Sequence, residues 1–180
     1  MYHKTEAEQI FHAKMLIDAD KILRANKVPS ILTNSALLGI YRDGNLIPWS
    51  MGVLLSTFYC DIAPKGGILL KAFRKAGFKI SKYWTGKNYK IRLKKGKFNV
   101  EIVGYQKGVK WHYRELSNKK KVIPIQYLDP PYRKLKFHGY KFIVPRDIEG
   151  LLTFLYGNWQ TPIMSKSPGA YKTKEHMRHE

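Results

Sequence analysis

The 180-residue chain predicts an α+β fold, a mixed or mostly antiparallel sheet flanked by helices, on three observations. Apolar residues recur at helical spacing in several segments, and β-branched and aromatic runs lie between them. Glycine- and lysine-rich links separate three consecutive β runs in the manner of hairpins. No repeat and no shift in composition divides the chain. The organisation expected is one domain over residues 1–163 and a basic polar tail over 164–180.

The elements follow in order. Residues 5–27 read as an amphipathic helix, with Ala7, Ile10, Phe11, Met15, Ala19, Ile22 and Leu23 on one face and Pro29 as its stop. Thr5 followed by Glu8 fits a capping box. Ile31 and Leu32 suggest a short buried strand. Residues 35–41 follow as a second helix, with Ser35 as N-cap, and Asp43-Gly44-Asn45 makes a turn. Residues 52–62 are apolar and β-prone enough for one strand, punctuated by Pro64 and Gly66-Gly67. A helix over 68–76 closes at Gly77, and strands over 78–84, 89–93 and 98–103 come next. Strands over 135–137 and 140–144 turn at His138-Gly139. Pro145 introduces a last helix over 147–155, ending at Gly157.

Composition excludes several classes. With 44% hydrophobic residues the chain can bury a core, and its lone cysteine, Cys60, excludes a disulfide framework and a Cys-rich zinc site. Cys60 is expected to be a buried structural thiol. No apolar run is long enough to span a membrane, and the charged N-terminus lacks the apolar core of a signal peptide. A soluble, cytoplasmic protein is the expectation. The 33 Lys and Arg against 13 Asp and Glu leave a net charge of +20. Such a surface attracts polyanions, nucleic acid among them, or is simply a solvated lysine-rich exterior. The scarcity of acid is the sharper constraint: outside the first helix and the tail, carboxylate chemistry rests on Asp43, Asp61, Glu101, Glu115, Asp129, Asp147 and Glu149.

Two segments carry a resemblance. One is Leu37-Leu38-Gly39-Ile40-Tyr41-Arg42-Asp43-Gly44-Asn45-Leu46-Ile47-Pro48-Trp49; the other is Tyr156-Gly157-Asn158-Trp159-Gln160-Thr161-Pro162, after a helix that begins just past a proline. In this order they resemble the LicD/fukutin family of nucleotidyltransferase-fold proteins, over about residues 31–162. The resemblance implies a nucleotidyltransferase-like mixed sheet. It also implies transfer of a phosphorylated group, such as phosphocholine or a polyol phosphate, from a CDP-linked donor to a glycan. Relatives place aspartates on alternate residues after the tryptophan, where one strand face lets them converge on Mg²⁺.

Here those positions hold Ser50, Gly52 and Leu54. Serine offers a weak neutral oxygen, glycine none, and leucine a hydrocarbon, so no metal is expected to be held by this set. Glu101 matches the position of a further family acid and is the remaining candidate for a catalytic carboxylate; otherwise it lies on the solvent face of an edge strand or pairs with a lysine. Arg42 is a candidate phosphate fork, or a helix-end arginine favoured by the macrodipole. Ser35 fits the small residue that lets phosphate approach, and Trp49 and Trp159 could stack on a base or sugar or anchor the core. The Lys94–Lys97 and Lys119–Lys121 runs, with Trp84, Tyr89, Trp111 and Tyr113, would suit nucleic acid or would be solvated turns backed by core aromatics. His176 and His179 share helical spacing without further support for a metal site.

Three readings follow: a transferase using a CDP-linked donor and an anionic glycan; a relative whose catalysis is lost or impaired; and a basic nucleic-acid-binding module on the same fold. The intact Ile-Pro-Trp beside three missing aspartates favours the second.

Overall fold

A computed structural model describes residues 2–116, 119–162 and 177–178. Its centre is a five-stranded mixed sheet in the order β1-β2-β5-β4-β3. The strands are β1 (Ile31–Leu32), β2 (Gly52–Phe58), β3 (Lys79–Trp84), β4 (Lys90–Lys95) and β5 (Phe98–Tyr105). β2 runs parallel to β5, while β1 with β2, β3 with β4, and β4 with β5 are antiparallel.

Helix α1 (Glu6–Ala25) starts at the capping box: Thr5 accepts from the Glu8 amide while the Glu8 carboxylate accepts from the Thr5 amide. It ends before Pro29, with Lys27 at a positive φ of 56°. Its Ala13, Leu16, Ala19 and Leu23 are buried against the sheet, and His12 stacks on Phe98 at 4.9 Å. On that covered face lie Val53, Leu55, Ile91, Leu93, Val100 and Ile102, all buried. Asp20 of α1 is buried too, accepting from Ser30 and from the Tyr140 hydroxyl at 2.7 Å and pairing with Arg24 at 2.8 Å.

The N-cap position of helix α2 (Asn34–Asp43) is Thr33 and not Ser35, which is its second residue, and no side chain caps it. The shift arises because Asn34 already turns the chain, at φ 55°, while the Thr33 hydroxyl is taken by Ser56 at 2.7 Å. The strand expected over 52–62 stops at Phe58, and α3 (Tyr59–Ile62) follows. Tyr59, Cys60 and Ile62 are β-prone by composition, yet the chain coils into a short helical run with Ile62 buried. Asp61 is thus on a helix and not further along a strand. Cys60 is exposed, correcting the expectation of a buried thiol.

Helix α4 (Gly66–Lys75) starts two residues earlier than its periodicity indicates and buries Leu69 and Phe73. β6 (Trp111–Leu116) and β7 (Lys119–Pro124) form a second small sheet, onto which the pair β10 (Met177–Arg178) docks. The remainder of the tail, with His176 and His179, lies outside the described residues. After α5 (Ile125–Leu128), β8 (Tyr132–Phe137) and β9 (Tyr140–Pro145) make the expected hairpin, turning at His138 and Gly139 with φ of 45° and 76°. Helix α6 (Ile148–Tyr156) has Asp147 as N-cap, its side chain accepting from the Gly150 amide, and closes at Gly157 with φ 66°. Among the described residues no helix is long and apolar enough to cross a membrane.

Candidate functional site

Side chains alternate along a strand, so register decides which residues share the face of the sheet opposite α1. Gly52 and Leu54 of β2 stand opposite Asn99 and Glu101 of β5. Across the other edge of β5, Arg92 stands opposite Glu101 and Lys94 opposite Asn99, with Lys90 opposite Val103. β3 adds Lys82 beside Arg92 and Trp84 beside Lys90. β5 is the middle strand, so Glu101 is not on a sheet edge.

The three positions to which the resemblance assigns aspartates, Ser50, Gly52 and Leu54, each have contacts of their own. The Ser50 hydroxyl donates to the Gly52 carbonyl at 2.7 Å. A Cβ at Gly52 would stand 2.5 Å from Asn99 Oδ1, so the neighbouring amide already fills that space. Leu54 is partly buried and packs against the core. Glu101 is held from both sides: Lys90 Nζ lies 2.6 Å from Oε2, and Arg92 reaches Oε1 through Nη2 at 2.5 Å and Nε at 2.6 Å. Burial alone would raise the Glu101 pKa, but its pairs with Lys90 and Arg92 outweigh burial and hold it below the usual carboxylate value.

This set does not fit Mg²⁺. A hard cation requires converging carboxylate oxygens, and the one carboxylate here is already neutralised by two cationic side chains. Among the described residues no three His, Cys, Asp or Glu side chains come together.

Arg42 and Trp159, from the two motif segments, meet directly. Arg42 Nη1 donates to the Trp159 carbonyl at 3.0 Å, while Nε and Nη2 fork Asp43 at 2.7 Å. The Tyr41 ring lies 5.8 Å from that of Trp159, and the Tyr41 hydroxyl donates to Glu149 at 2.9 Å. Trp159 is buried, its indole Nε1 donating to Thr153 at 3.2 Å. Trp49 is half-buried with the His3 ring 5.7 Å away. Ser35 lies in the first turn of α2, a helix whose N-terminus carries no side-chain cap. The motif glycine, Gly39, is where α2 meets the loop behind it: an added Cβ would stand 2.6 Å from the Asn45 carbonyl oxygen.

Other groups on this side escaped the sequence reading. His112 and Arg114 alternate on β6 and face back over β2 and β5, His112 edge-on to Phe58 and the Arg114 guanidinium 6.0 Å from the centre of the Tyr105 ring. His112 Nε2 is 2.9 Å from Asp129, and burial lowers its pKa despite that carboxylate. Arg114 is buried, and its Nε and Nη1 have no hydrogen-bond partner among the described residues. The basic alternation Lys90, Arg92, Lys94 was legible as a strand face; nothing local marked Arg114 as buried. Of the aromatics considered for nucleic acid, Tyr89 is buried whereas Trp84 is exposed, with Lys82 and Lys90 at 5.1 and 5.4 Å from its ring.

A five-stranded mixed sheet with the parallel pair β2–β5 at its centre, flanked by helices, is the arrangement of a nucleotidyltransferase fold. The solved structure of the antibiotic-resistance factor ANT(2'')-Ia matches it with a TM-score of 0.54 at 8% identity, covering 76% of this chain and 66% of that one. The chain thus spans just under two thirds of that neighbour's length, and the likeness is one of fold. The family model described as LicD/FKTN/FKRP, nucleotidyltransferase domain, matches residues 27–147. The protein belongs to this family. No curated protein matches the chain.

Proposed function

We propose that this LicD-family protein descends from transferases that move a phosphorylated group, phosphocholine or polyol phosphate, from a CDP-linked donor to an anionic glycan, and that its own metal-dependent transfer is lost or impaired. The observation that carries this reading is the Leu54–Glu101 pair. A hydrocarbon stands where a metal-binding carboxylate is needed, and the acid beside it is spent on Lys90 and Arg92. The protein then serves as a binding module in the cytoplasm.

Calorimetry with Mg²⁺ and CDP-choline, together with a turnover assay, tests this. No Mg²⁺-dependent binding and no turnover are expected. Mg²⁺-dependent turnover of the donor would overturn the reading.

Exposed Trp84 between Lys82 and Lys90 favours a second reading, a basic nucleic-acid-binding module. It requires binding of single-stranded RNA with a steep salt slope, and absence of binding at about 100 mM salt removes it.

A further inference from the structure

We propose that the outer face of α1, with the groove between it and the β8–β9 turn, is a docking surface for an anionic lipid membrane. The inference goes beyond the reading above and does not depend on whether transfer chemistry survives.

The helix has apolar residues on two sides. Ala13, Leu16, Ala19 and Leu23 are buried on the sheet, as an amphipathic helix requires. Ile10 and Phe11, which the sequence pattern assigns to that same face, are instead 52% and 43% exposed. Positions 10, 14, 17 and 21 follow helical spacing, so Ile10, Lys14, Ile17 and Lys21 form one stripe in which apolar and basic residues alternate. Tyr2 is exposed at the start of this helix, its hydroxyl donating to Glu8 and the Lys97 ammonium lying 4.1 Å from its ring centre.

The stripe borders a groove of about 430 Å³ between α1 and the turn of the β8–β9 hairpin. Ile10, Ala13 and Ile17 make its lining apolar, and the exposed Lys14, Lys21 and His138 make it basic. The Tyr140 hydroxyl fastens the hairpin to buried Asp20 of α1, so the groove is fixed by the packing.

Charge names the partner. Among the described residues one carboxylate lines the groove, Asp18, and it is paired with Lys14 at 3.6 Å. Lys21 lies over the Tyr140 ring at 5.6 Å. One pair beyond the turn, Lys136 and Lys141 are exposed register partners, and neither forms an ion pair among the described residues. Like charges set directly opposite repel, and a negative surface relieves that repulsion. Exposed aliphatic and aromatic side chains amid lysines suit the lipid headgroup layer: the apolar groups enter it and the ammonium groups meet lipid phosphates. A nucleic acid would use the charge and leave Ile10 and the apolar lining unfilled.

The test is sedimentation of the full chain with vesicles of phosphatidylcholine alone and with vesicles holding about one-third phosphatidylserine, at about 100 mM salt. Binding to the anionic vesicles alone is expected. Ile10→Ser/Phe11→Ser should weaken it about tenfold or more, and so should Lys14→Gln/Lys21→Gln. Lys107→Gln/Lys110→Gln removes the same charge from the exposed loop after β5 and should change the affinity less than about threefold. Both altered apolar residues are exposed, so the fold should persist; if that double variant fails to fold, Ile10→Ser alone reads the same loss. Absence of binding to anionic vesicles overturns the proposal, as does equal binding to phosphatidylcholine alone. Equal weakening by Lys107→Gln/Lys110→Gln would mean diffuse attraction to a basic protein and would overturn it too. Retained vesicle binding with lost single-stranded RNA binding in Lys14→Gln/Lys21→Gln would assign the surface to nucleic acid instead.

Discussion

Leu54 and Glu101 are register partners on the parallel strands β2 and β5, so a hydrocarbon and a carboxylate stand side by side on the sheet face opposite α1. Arg92 faces Glu101 from the other side. The charge of the acid is therefore balanced within the sheet and calls for no external cation.

That pairing predicts the behaviour of Leu54→Asp. In EDTA, a second carboxylate next to Glu101 and the lost apolar contact should cost about 1–2 kcal/mol, visible as a lower Tm. Adding Mg²⁺ should return part of the loss in the variant and leave the parent unmoved. A parent Tm that rises with Mg²⁺ would contradict the account. Gly52→Asp should be harder to accommodate, because Asn99 must first rotate away.

Gly39 sets a second expectation. Its missing side chain lets α2 approach the Asn45–Ile47 backbone, where a Cβ would lie 2.6 Å from the Asn45 oxygen and 2.8 Å from the Ile47 nitrogen. Backbone cannot yield as a side-chain tip can. Gly39→Ala should cost about 2–3 kcal/mol in urea denaturation, a large effect for one methyl group.

Arg42→Ala should loosen the C-terminal motif. The substitution removes the bond to the Trp159 carbonyl and the fork on Asp43, and should cost about 1–2 kcal/mol. Limited proteolysis after Tyr156 should quicken more than the global stability change predicts. If cleavage there follows the parent, Arg42 does not hold the segment.

The pH dependence turns on His12. Burial lowers its pKa from 6.5 to about 4, with the Asn99 carbonyl accepting from Nε2 at 3.1 Å and Lys4 Nζ 3.3 Å from Nδ1. The folded state thus resists a proton that the unfolded chain accepts. This contribution is complete above about pH 6.5 and is lost as pH falls toward 4, on the order of 3 kcal/mol in all. Denaturation curves across that window should flatten in His12→Gln, with a residual slope from His112, also lowered by burial. An unchanged slope would exclude His12 as the source.

Local signals carried much of the fold. The capping box at Thr5 and the His138-Gly139 turn are decided by nearest neighbours, and both formed where the residues placed them. Tyr59 to Ile62 misled because β-prone side chains there fold as α3, a choice made by the tertiary surroundings of Ile62. The absence of carboxylates at Ser50, Gly52 and Leu54 was readable directly. Their replacement by an internal ion-pair cluster was not, since Lys90 and Arg92 reach Glu101 only through the register of β4 on β5.

The parallel seam between β2 and β5 also bears on the order in which the molecule is made. β3, β4 and β5 are joined by short turns and can pair as soon as they are adjacent in sequence. β2 meets β5 only after about forty intervening residues have closed into a loop, a slower and entropically dearer event. A nascent chain therefore holds a three-stranded meander, with Arg92 already beside Glu101, before Leu54 arrives. The acid is neutralised by its basic neighbours from the outset, and the seam with β2 closes beside a charge that has already been settled.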